Sequence, residues 1–111
     1  MSLSSTSIPK PKDWQDFERK TRVLMACVLG DPTTQPNGRS GQSQCGVDVY
    51  GYRNRDVNKL VGVQCKKKLD AKVTEEELRA EVKKAKKFKP KLTEFILATT
   101  APRDEAVQAG P

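Results

Sequence analysis

The stretch LVGVQCKKK, residues 60–68, decides the fold. Its first half is rich in β-branched and apolar residues, which suit a strand, and it ends in Lys66, Lys67 and Lys68. Side chains alternate along a strand, so Val61, Val63 and Cys65 share one face and Gln64 and Lys66 the other. An amide and an ammonium therefore stand side by side, with an apolar face behind them.

Working upstream, GVDVYGY (46–52) reads as a partner strand, with Val47 and Val49 on one face and Asp48 and Tyr50 on the other. The polar RNRDVN (53–58) between the two makes a turn, and so short a connection implies an antiparallel hairpin. A hairpin closing near residues 55–56 pairs positions whose numbers sum to roughly 111. Asp48 then lies close to Gln64. A carboxylate, an amide oxygen and an ammonium converge at one end of the hairpin.

The flanking segments supply helices. In KDWQDFERKTRVLMACVL (12–29), Trp14, Phe17, Thr21, Leu24 and Val28 recur at helical spacing, with Asp13 as N-cap and Gly30 and Pro32 as the stop. Trp14 and Phe17 are expected in the core, and Glu18 flanks the buried stripe. Residues 30–45 read as a loop long enough to be functional, its two prolines opposing regular structure. TEEE at 74–77 is a capping box opening a second helix with Leu78, Val82 and Ala85 inward, and Phe88 and Pro90 end it. LTEFILATT (92–100) is the most apolar strand and is expected inside the sheet; APRDEAVQ (101–108) starts a further helix. The order is helix, strand, strand, helix, strand. It predicts an α/β domain, residues 12–111, with a central mixed sheet flanked by helices. Residues 1–11 read as a disordered leader or tag remnant.

Composition narrows the chemistry. Lys plus Arg is 21 against 14 Asp plus Glu, a net +7 that favours polyanionic partners, nucleic acid above all, or simply a soluble basic protein. Histidine is absent, so no Ser-His or Cys-His catalytic pair forms within the chain. Cys27, Cys45 and Cys65 show no CxxC spacing and are expected as reduced, buried thiols. No apolar run of about 20 residues spans a membrane and no signal peptide is visible, so a cytoplasmic location is expected. Hydrolysis in such a chain must use carboxylates, lysine and metal ions. Mg²⁺ takes one or two carboxylates plus waters and phosphate oxygens, and lowers the pKa of a bound water.

DFE (16–18), GRSGQSQCGVDVYG (38–51), GVQCKKK (62–68) and a strand ending ATTA (98–101) together resemble the PD-(D/E)xK restriction-endonuclease-like superfamily, most closely its Mrr-type branch, over about residues 13–108. The resemblance implies a restriction-endonuclease-like core of α-β-β-(β)-α-β type and metal-dependent hydrolysis of DNA, with double-stranded DNA as the expected partner. The D-then-(E/Q)xK pattern falls on Asp48, Gln64 and Lys66, and the helix glutamate of the family on Glu18. By carry-over, Asp48 and the backbone carbonyl of Cys65 bind Mg²⁺ or Mn²⁺, Glu18 helps directly or through water, and Lys66 acts on the attacking water. Gln64 stands where many members carry Glu, and its oxygen ligates without bringing charge. Gln44 matches a glutamine that often precedes the aspartate in this branch. Arg39 and Ser40 touch substrate or metal-site waters, or their loop's glycines serve only the turn. Lys67 and Lys68 contact phosphate, or form a solvated strand exit. Lysines from 83 to 91 are a solvated face or a track for a phosphate backbone. The family fold usually continues with a helix and a strand, so truncated C-terminal elements and a fragment of a longer protein are expected. The edges left by such a cut favour a homodimer or strand exchange. The alternative function is a catalytically degenerate nucleic-acid-binding module.

Overall fold

One sheet with two apolar faces, each covered by a helix, organises the chain. The computed structural model describes residues 1–8, 11–37, 45–66 and 74–100. In chain order the elements are β1 (Ser2–Ser7), α1 (Trp14–Leu29), β2 (Gln35–Pro36), β3 (Val49–Tyr52), a 3-10 turn (Arg53–Arg55), β4 (Leu60–Lys66), α2 (Glu75–Ala85) and β5 (Glu94–Thr99). The sheet runs β1-β5-β4-β3-β2. β1 and β4 both pair parallel with β5, whereas β3 is antiparallel to β4 and β2 to β3. This is a small α/β domain with a five-stranded mixed sheet. Among the described residues no helix is long and apolar enough to cross a membrane.

Period-2 alternation sorts the side chains between the layers. Val61, Val63 and Cys65 of β4 and Ile96 and Ala98 of β5 meet Phe17, Met25 and Leu29 of α1. Leu60, Phe95 and Leu97 point the other way and meet Val82, Ala85, Phe88 and Leu92. Gly62 faces this second layer, where a Cβ would stand 2.7 Å from Leu92 Cδ1, so only a glycine lets that leucine close over β4. Each large apolar side chain so buried contributes about 1.5–3 kcal/mol. The hairpin register is Val49↔Val63 through Tyr52↔Leu60, within a residue of the spacing read from the turn.

Five expectations need correction. Ser2–Ser7, read as part of a leader, forms β1, and Ile8 is core. The segment lacks apolar alternation because backbone hydrogen bonds to β5, and not its side chains, hold it in the sheet. The buried stripe of α1 is Phe17, Thr21, Met25 and Leu29, while Trp14 and Val28 are 41% and 50% exposed. The helix is rotated so that Trp14 meets the edge of Phe17 at a centroid distance of 5.3 Å and stays at the rim. Pro36 lies in β2, which is tolerated because that strand is a two-residue edge. Val47 and Val49 do not share a face but enter opposite layers. Of the cysteines, only Cys65 is buried; Cys27 is exposed and Cys45 half-buried. The helix expected from residue 101 lies outside the described residues.

Asp13 caps α1 by accepting from Asp16 N at 2.8 Å, and Gly30 ends it at φ 67, the left-handed region a glycine occupies without strain. Asp31 follows, buried. Its Oδ1 accepts from Thr33 N at 2.9 Å and its Oδ2 from Tyr52 N at 2.7 Å, which ties the exit of α1 to β3. Burial opposes its ionisation, but these donors hold the carboxyl below its usual pKa. Asp31→Ala strands both amides and is expected to lower the unfolding free energy by about 2–4 kcal/mol in urea denaturation. A loss below about 0.5 kcal/mol would show the clamp to be dispensable.

Candidate functional site

The site forms where β3 meets the C-terminal end of β4. Asp48 N donates to Val63 O at 2.8 Å, although Val63 is already the partner of Val49. Two residues thus face one, as in a β-bulge, and the phase of the strand shifts. That shift sends Val47 and Val49 to opposite layers. It also turns the Asp48 carboxylate along the sheet, where Oδ2 accepts from Cys65 N at 2.7 Å. Asn37 holds the bulge from outside: its Nδ2 donates to Val47 O at 2.9 Å and its N to Asp48 O at 2.8 Å. Cys45 and Gly46 lead into it with φ of 55 and 75.

Gln64 and Lys66 face α2, as their alternation with the valines requires. Lys66 Nζ lies 3.3 Å from Glu81 Oε1 and 3.8 Å from Glu77 Oε2. Glu81 is only 6% exposed. Its Oε2 atom has no hydrogen bond, nor has the buried Oε1 of Gln64, although Lys84 Nζ approaches Glu81 Oε2 at 3.5 Å. Gln64 nonetheless lies close enough to favour the ionised form of Glu81. Among the described residues, then, the ion-pair partners of Lys66 come from α2 and do not include Asp48.

Burial pushes the Asp48 carboxyl up to about 6; the Cys65 N–H works against that rise, and the charges of Glu18 and Glu81 add to it. Burial raises the pKa of Glu18 too, offset in part by a hydrogen bond from the Trp14 side chain. That bond gives the half-exposed tryptophan a role at the site's rim. Glu81 behaves oppositely: burial would raise its pKa, but Gln64, Lys66 and Lys84 hold it below the usual value. Cys65 is a thiol pushed up to about 12 by burial and by the nearby acids, with Thr21 working against the shift, and so is no nucleophile.

Asp48, Gln64, Lys66 and Glu18 therefore occupy one neighbourhood. Arg39, Ser40, Gln44, Lys67 and Lys68 lie outside the described residues. Glu81, Glu77 and Asn37 were not singled out from sequence. Glu81 had a signal: it lies three residues after Leu78 and one before Val82, within the buried arc of α2. Among the described residues no group of three His, Cys, Asp or Glu forms a ready cation cage. The donor set still suits a hard cation, because Mg²⁺ takes few protein oxygens and keeps waters. Asp48 and the nearby Glu18 offer carboxylates, and Gln64 Oε1, buried without a hydrogen bond, a neutral oxygen. No family model matches the chain, and no curated protein or solved structure matches it either.

The raised pKa of Asp48 carries a sign. The folded state binds the proton more tightly than the unfolded one, so stability falls as pH rises from about 4 to about 6 and stays lower above. Asp48→Asn keeps an acceptor for Cys65 N and removes the charge. In EDTA, its melting temperature is expected to exceed that of the parent by a few degrees at pH 8, and the gap to close towards pH 4. Equal melting temperatures at pH 8 would contradict the burial of this charge.

Proposed function

We propose that this chain is a metal-dependent nuclease module of the PD-(D/E)xK type, Mrr-like in its QxK form, that hydrolyses phosphodiester bonds in DNA. The observation that carries the reading is the hydrogen bond from Cys65 N to Asp48 Oδ2, which joins the aspartate to the backbone of Gln64-Cys65-Lys66. A carboxylate, an amide oxygen and an ammonium are thereby gathered at one strand end, beside the charge of Glu18. The chain's +7 charge supplies the long-range attraction for a polyanion.

A bound Mg²⁺ or Mn²⁺ would supply an acidified water and neutralise charge on the phosphate under attack. Asp48 and Glu18 would hold the cation, with the Cys65 carbonyl and Gln64 Oε1 as neutral donors. Lys66, one strand position beyond Cys65, would orient the attacking water and offset developing negative charge. Its pairing with Glu81 and Glu77 holds the ammonium at the strand end.

Two observations favour a second reading, a nucleic-acid-binding module without catalysis. Gln64 brings no charge, and Lys66 is engaged by α2. Cleavage of supercoiled plasmid in Mg²⁺, Mn²⁺ or EDTA separates the two. The nuclease reading expects metal-dependent nicking that falls about 100-fold or more in Asp48→Ala and in Lys66→Ala. Retained cleavage in both variants would remove the site assignment. Salt-sensitive DNA retention that ignores metal, with no nicking, would favour the binding module.

A further inference from the structure

We infer that the lysine-rich end of α2 and the turn after it, residues 83–91, form the surface on which the chain holds the phosphate backbone of duplex DNA. The inference rests on the reading of DNA as partner above, and adds where that DNA lies. The segment KKAKKFKPK carries six lysines in nine residues and no acid. The rest of the chain carries 15 basic side chains against 14 acidic ones, so this segment accounts for six of the seven net positive charges. All six lysines are exposed. Among the described residues only Lys84 of the six meets a carboxylate, Glu81 Oε2 at 3.5 Å. The plainer reading is a solvated helix end. The helix dipole does favour Lys83, Lys84 and Lys86 at the C-terminus of α2, but it does not reach Lys87, Lys89 and Lys91 beyond the last turn. Lys83 and Lys86, one turn apart, also repel, and no acid is interspersed to relieve them.

The segment is held in place by the core. Ala85, Phe88 and Leu92 are interleaved with the lysines and buried in the α2 layer. Lys86 N donates to Val82 O at 2.9 Å, Lys87 N to Lys84 O at 3.1 Å and Phe88 N to Ala85 O at 3.0 Å. A backbone already ordered in this way loses little freedom on binding. No large apolar side chain of the segment is exposed, so it lacks the inserted residues with which a helix grips a lipid surface. Lysine offers point charges without the planar fork of arginine, which suits phosphates met without regard to base sequence. The surface is also continuous with the candidate site. Lys84 and Lys66 approach the two oxygens of the one Glu81 carboxylate, at 3.5 and 3.3 Å. A phosphate backbone lying along residues 83–91 therefore runs up to the strand end that carries Gln64 and Lys66.

Fluorescence anisotropy of a labelled DNA duplex, titrated with the full chain in EDTA from about 50 to about 200 mM KCl, tests this. Lys83→Gln, Lys87→Gln and Lys91→Gln combined are expected to weaken binding about 10-fold or more and to lower the salt slope by about 2 to 3, with an unchanged circular dichroism spectrum. Arginine at the same three positions is expected to bind as the parent does. Lys12→Gln, Arg55→Gln and Lys59→Gln combined remove the same charge from other exposed positions and are expected to change binding by less than about 3-fold. Parent-like binding by the Lys83, Lys87 and Lys91 glutamine variant overturns the inference. Equal weakening in the control overturns it too, since net charge alone would then account for binding. No DNA binding by the parent also overturns it, and capture by phosphatidylserine vesicles instead would assign the surface to a membrane. Cleavage is read separately. Binding through these lysines without metal-dependent nicking leaves the inference standing and removes the nuclease reading. Nicking with parent-like binding in the glutamine variant does the reverse.

Discussion

Strand β4 is paired on both edges and covered on both faces, and the other elements are arranged around that demand. Its parallel neighbour β5 and antiparallel neighbour β3 take its backbone groups. Helix α1 covers Val61, Val63 and Cys65, and the α2 layer covers Leu60. A strand buried on both sides must be apolar on both, and β4 obeys until Gln64 and Lys66. There the apolar pattern stops while burial continues. The polar end of an otherwise buried strand has to be answered by polar groups from its neighbours, and Asp48, Glu81 and Glu77 answer it.

That answer concentrates acid in a basic protein. The chain carries +7 overall, yet its most buried ionisable groups around Lys66 are carboxylates. Charges of one sign held together out of water repel and lose hydration; the upward shift at Asp48 registers both costs, and that at Glu18 the loss of hydration. A fold under selection for stability alone would use amides there. Asp31 makes the contrast within the same chain: it is as buried as any acid here, but three donors from Thr33 and Tyr52 satisfy it and lower its pKa. Asp31 is a structural clamp and Glu81 is answered by lysines, whereas Asp48 and Glu18 are left with raised pKa values.

The bulge at Asp48 converts this chemistry into geometry. A regular ladder would direct Asp48 to the opposite face from Val49. The extra residue instead lets the carboxylate lie in the plane of the sheet and take the Cys65 amide. Asn37 locks that arrangement from the loop. The same device frees Val47 to fill the α2 layer, so core packing and site geometry depend on one irregularity.

The alternation in residues 60–66, the capping box at 74–77 and the periodicity of both helices determined the order of α1, β3, β4, α2 and β5, and the hairpin register to within a residue. These are local signals: they depend on spacing along the chain. The rotation of α1, the use of Ser2–Ser7 as an edge strand and the choice of lysine partner were decided only in the tertiary structure. Trp14 and Val28 fit a helical stripe as well as Met25 and Leu29 do, and only the packing surface of β3 and β4 selects between them. Serine-rich β1 is held by backbone hydrogen bonds, which leave no mark on side-chain pattern. Glu81 sits in the buried arc of α2, but nothing along the chain says that arc lies over Gln64 and Lys66. That juxtaposition arises when α2 crosses from β4 to β5, and a contact between residues 15 apart in sequence becomes visible only when both faces of the sheet are closed.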